Sequence, residues 1–173
     1  MLTELFRVVL ASPSDVQAER DAAGSVIESL NGMLLGGGFP AALRLVRWET
    51  DAYPGLHPRG PQGLIDDQLR IEECDILIGV FWKRFGTPVG DAESGTAHEI
   101  RRAIDTWNDR GTPQVMLYFR EAHGQTISPD EEEQFRKVQN FKEQLYLTHT
   151  ALVWKYEDDG DFFASSMDTF GAL

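Results

Sequence analysis

Apolar and polar positions follow two alternating rhythms along the chain. Short apolar runs at residues 6–11 (FRVVLA), 43–48 (LRLVRW), 75–81 (DILIGVF), 114–119 (QVMLYF) and 150–154 (TALVW) read as strands. Between them apolar residues recur every three or four positions, as on one face of a helix. Val16, Ala23, Val26, Ile27 and Leu30 give the first such stripe, ended by the triplet 36-GGG-38. Ser12 before Pro13 reads as its N-cap, and Ser14 with Gln17 as a capping box one step later. Further helices are predicted over 64–73, 96–107, 131–145 and 161–173. The stretch 49-ETDAYPGLHPRGPQG-63 carries three Pro and three Gly and reads as a long loop.

Five strands alternating with helices predict an α/β fold: one flavodoxin-like, three-layer domain over 1–173, with a five-stranded parallel sheet of order 2-1-3-4-5 covered on both faces. The strand order reverses between strands 1 and 3, and ligands of such folds bind there, beyond the carboxyl ends of the strands. Residues 12-SPSD-15 and 82-WKRFGTPVGDAESGTAHE-99 emerge at that crevice.

Composition narrows the partners. With 16 Lys and Arg against 28 Asp and Glu, the net charge of −12 argues against a nucleic-acid backbone or an anionic membrane surface as partner. No run approaches the roughly 20 apolar residues of a membrane span, and the N-terminus lacks the basic head of a secretory signal. Cys74 is the one cysteine, so no internal disulfide is possible and a cytoplasmic location is expected. It reads as a small buried hydrophobe. His57, His98, His123 and His149 show no metal-ligand spacing, so no metal and no required cofactor are expected. There is no P-loop and no GxSxG elbow.

The stretch 94-SGTAHEI-100 carries the most specific chemistry. Ser94 reads as a helix cap, Gly95 permits close approach of a ligand to the backbone, and the first-turn N–H groups, Thr96 among them, favour an anion. Glu99 projects one turn further in, where a carboxylate can steady or attack an oxocarbenium-like sugar carbon. The same Glu99 also suits a plain dipole-complementing position, or a surface pair with Arg102. Ser12, Ser14 and Asp15 are candidates for ribose or phosphate contact as well as for capping. Trp82 and Phe85 are candidates for stacking on a base as well as for packing, and Arg84 suits a pyrophosphate.

Residues 7-RVVLASPSDVQAERDAAGSVIESLN-31 resemble the opening of TIR-like (Toll/interleukin-1 receptor-like) domains found at the N-terminus of many multidomain NTPase and defence proteins. Residues 71-IEECDILIGVFWKRFGTPVGDAESGTAHEI-100 resemble the central strand, loop and helix of the same group, and the likeness runs over roughly residues 5–155. The segment 94–100 is also similar to the SGTxxEIG segment of nucleoside 2-deoxyribosyltransferases, whose glutamate attacks C1 of the sugar. In this sequence Thr96, Ala97 and His98 stand where TIR enzymes usually carry a Trp-Cys pair.

The resemblance implies cleavage of the nicotinamide–ribose bond of NAD upon assembly, with Glu99 catalytic and NAD as substrate. It also implies self-association, a C-terminal sensor or NTPase module, and a role in antiphage defence or cell-death signalling. Asp51, Tyr53, Pro54 and Gly55 fall in the loop that the family uses for self-association or gating. Glu19 and Arg20 match its structural Glu-Arg pair. Two other readings stay open: a non-catalytic protein–protein interaction domain, and a nucleoside hydrolase or deoxyribosyltransferase.

Overall fold

A computed structural model describes residues 3–121, 127–148 and 153–171. Strands β1 (Glu4–Ala11), β2 (Ala41–Val46), β3 (Ile76–Phe81), β4 (Gln114–Arg120) and β5 (Val153–Tyr156) form one parallel sheet in the order β2-β1-β3-β4-β5. This is the expected α/β, flavodoxin-like arrangement. β1 pairs with β3 from Val8↔Ile76 to Ala11↔Gly79, and β3 with β4 from Ile76↔Gln114 to Phe81↔Phe119.

The all-apolar run ILIGVF fits only a strand covered on both faces, and all six residues of β3 are buried. Strand periodicity then splits the core in two. Val9, Ala11, Leu77 and Phe81 face a layer made by helices α3 (Gly60–Leu69), α4 (Gly95–Arg110) and α5 (Pro129–Leu147). Val8, Leu10, Ile76, Ile78 and Val80 face α1 (Gln17–Gly36) and α6 (Asp159–Gly171). On the first face Phe81 stacks on Phe85 and Phe119 at 5.8 and 5.4 Å, with Phe141 edge-on. Gly79 lets α4 approach β3, because a Cβ there would lie 2.7 Å from the Ile100 and Leu117 side chains. Cys74 is buried, and burial pushes its thiol up to about 12.

Several boundaries differ from the expected ones. α1 begins at Gln17, with no side-chain cap, instead of at Ser12 or Ser14. The Arg20 guanidinium takes the Ser12 hydroxyl and the Ser12 and Pro13 carbonyls, so residues 12–16 are held as a turn. Gln17 turns toward Asp21 and Arg20 and does not reach back to Ser14. The expected loop 49–63 holds a one-turn helix α2 (Trp48–Asp51) and the start of α3, where Pro61 suits the first turn. α3 stops at Leu69 because Arg70 adopts a left-handed conformation (φ 48°), and a 3₁₀ turn follows over Ile71–Glu73. α5 opens earlier than expected, on a Ser128–Glu131 capping box. β5 is described from Val153, and residues 150–152 of the expected strand lie outside the described residues. The Gly-rich turn after α1 leads into edge strand β2, with Gly38 at φ 72°.

Candidate functional site

Three segments meet at the carboxyl ends of β1 and β3. The first is the turn 12–16. Arg20, itself 5% exposed, binds Ser12 Oγ at 2.9 Å and forms an ion pair with Glu49 at 2.9 Å, which ties this turn to α2. The second is the loop 82–94. Its first amides are held in series: Lys83 and Arg84 N–H donate to Asp15 Oδ2 (3.0 and 2.9 Å), and Phe85 and Gly86 N–H donate to Gln134 Oε1 (2.9 and 3.1 Å). Burial pushes the Asp15 carboxyl up against the pull of the Arg84 and Lys83 amides. The third is the start of α4, where Ser94 accepts from Ala97 N–H at 3.2 Å and donates to the Phe85 carbonyl. Gly86 (φ 115°) passes so close to Ser94 that a Cβ would meet its hydroxyl at 2.8 Å.

These segments, with α2 and α3, enclose a cavity of about 340 Å³. Its lining includes Ser12, Ser14, Trp48, Gln62, Arg84, Gly86, Thr87, Gly95, Thr96 and Glu99. Glu99 is 5% exposed. Burial raises its carboxyl to about 8, the charges of Asp66 and Glu49 push the same way, and the Gln62 amide pulls against them. The i+3 partner Arg102 is turned away: it binds Asp66 at 2.6 Å and also Glu72. Asp66 further accepts from Gln62 at 2.9 Å and faces His98 Nε2 at 3.4 Å. Burial and the two neighbouring carboxylates therefore favour the protonated form of this carboxyl.

The structure brings Ser12, Ser14, Arg84, Gly95, Thr96 and Glu99 to one cavity. Ser94 lies buried beneath it as the helix cap. Asp15 sits behind the wall, gripping the loop. Phe85 is 1% exposed in the aromatic core, where it stacks on Phe81, so its ring faces away from the cavity. Trp82 packs against the α1/α6 face, with the Arg120 guanidinium 4.5 Å from its ring. Asp51 holds α2 by accepting from Arg47 N–H and Thr50. Tyr53, Pro54 and Gly55 are exposed beside it, and the Tyr53 backbone is tied to Gln68.

Trp48, Gln62 and Gln134 escaped sequence reasoning. Trp48 closes an apparent strand, Gln62 lies in an apparent loop, and Gln134 sits on a polar helix face. None carries a local signal, because each joins the site through tertiary packing. Glu19 is fully buried against Arg120 (2.9 Å) and the Tyr156 hydroxyl (3.0 Å), bracing β4 and β5 from α1.

The fold and the crevice define a flavodoxin-like α/β domain with a ligand-sized hollow at its topological switch point. A family model described as a domain of unknown function (DUF4062) matches residues 7–169, and the chain belongs to that family. No curated protein matches the chain. Among the described residues, no helix is long and apolar enough to cross a membrane.

Proposed function

We propose that the chain is a TIR-like effector domain that cleaves the nicotinamide–ribose bond of NAD when it assembles, in antiphage defence or cell-death signalling. The observation that carries this reading is Glu99: a nine-tenths-buried carboxyl in the wall of a cavity at the β1/β3 switch, one turn into a helix that opens at Gly95. The cavity lies at the small end of the range of about 300–1,000 Å³ for ligand pockets, which suits the nicotinamide riboside half of the substrate. Self-association would complete the remainder.

In the reaction the C1′–N1 bond breaks and its electron pair goes to the pyridinium nitrogen, so nicotinamide leaves neutral. Ionised Glu99 steadies the positive charge that develops at C1′. Water adds there, loses a proton and yields ADP-ribose. Arg84 and the first-turn amides of α4 suit the phosphates.

The test is incubation with NAD, and separately with nucleosides, while the chain is forced to cluster. Nicotinamide release that disappears in Glu99→Gln supports the proposal. Release of free base from nucleosides alone supports a nucleoside hydrolase. Intact self-association without turnover supports an interaction domain.

A further inference from the structure

Among the described residues, Glu99 is the one carboxyl that lines the cavity, and no ion pair involves it. Several cations on the neighbouring elements are already engaged. Arg102 on α4 is taken by Asp66 and Glu72, Arg59 just before α3 by Asp66 and Asp67, and Arg20 on α1 by Glu49 and the Ser12 turn. His98 faces Asp66. Arg84 lines the cavity from the β3–α4 loop. Asp66 from α3 and Glu49 from α2 add negative potential at Glu99. Gln62 joins the two sides, donating to Asp66 from within reach of Glu99. Trp48, half-exposed in the same lining, offers an aromatic face, which attracts cations.

We propose that the Glu99 end of the cavity is a cation subsite that exchanges a proton for the positive charge of its ligand. The ligand class is a flat cationic ring, a pyridinium above all. A neutral ring of the same shape meets the same tryptophan but leaves the Glu99 proton in place. Uptake of the cation frees one proton to solvent, and affinity grows with pH until Glu99 is already ionised. The inference rests on the proposed function only in placing Glu99 against the ligand.

The test compares 1-methylnicotinamide, a cation, with neutral nicotinamide by titration calorimetry from pH 6 to 9, in buffers of different ionisation heat. The expected result is release of close to one proton per cation bound below pH 7. Cation affinity should rise toward about tenfold per pH unit and level off above about pH 8, while nicotinamide binding stays flat. Glu99→Gln should bind both rings alike, with no proton release. Trp48→Ala should weaken both and keep the pH slope. Equal affinity for the two rings, binding without proton release, or no saturable binding of the cation at millimolar concentration would overturn the subsite. The experiment needs no bond cleavage. Nicotinamide release from NAD without cation preference removes the subsite and keeps the function, and the reverse outcome does the opposite.

Discussion

A carboxyl held at about 8 against an ordinary value of 4.5 makes folding sensitive to pH. Folded Glu99 keeps its proton where the unfolded chain has lost it, so raising pH from about 4.5 to 8 removes stability, on the order of a few kcal/mol. Glu99→Gln should therefore be the more stable protein at pH 8.5, by urea unfolding, and the pH-dependent part of that advantage should vanish below pH 4.5. Arg20 makes the opposite case. Arg20→Met leaves Glu49 without its cation and frees the Ser12 turn, and should cost about 3–5 kcal/mol, seen as a lowered thermal midpoint. At this scale the sequence announced Glu99 through its capped helix start. It did not announce the missing partner, since Arg102 at i+3 suggested a surface pair and only the fold delivers Asp66 to take that arginine.

Among the elements, the β3–α4 loop is shaped from outside itself. Four successive amides end on two side chains, one from the turn after β1 and one from α5. Gln134→Leu should raise hydrogen exchange at Phe85 and Gly86 while leaving Lys83 and Arg84 protected by Asp15. Gly79→Val sets methyl groups against Ile100 and Leu117 and should destabilise by about 1–3 kcal/mol in denaturant titration. The central strand β3 was legible because a doubly covered strand must be apolar throughout. Helix starts were less so, since the Ser-Pro-Ser cap signature after β1 yields to a buried guanidinium that no local pattern reveals. Trp82 and Phe85 show the same limit. Both follow a strand, and only the packing tells which face each ring joins.

For the molecule as a whole, alternation of strand and helix was enough to place the crevice, because a parallel sheet of this order has one reversal near its centre. One wall of the hollow was not legible, as it comes from α2 and the first turn of α3, hidden in a Pro- and Gly-rich stretch. The turn at Gly36–Gly38 leads into the amino end of β2, whereas the cavity gathers at the carboxyl ends of β1 and β3. That separation makes the glycine turn a mounting point. A surface tether or an inducible dimeriser spliced in at Gly38 should change unfolding free energy by less than about 0.5 kcal/mol and leave ligand uptake untouched. Crowding of the chain could then be dialled from the far rim, independently of the chemistry.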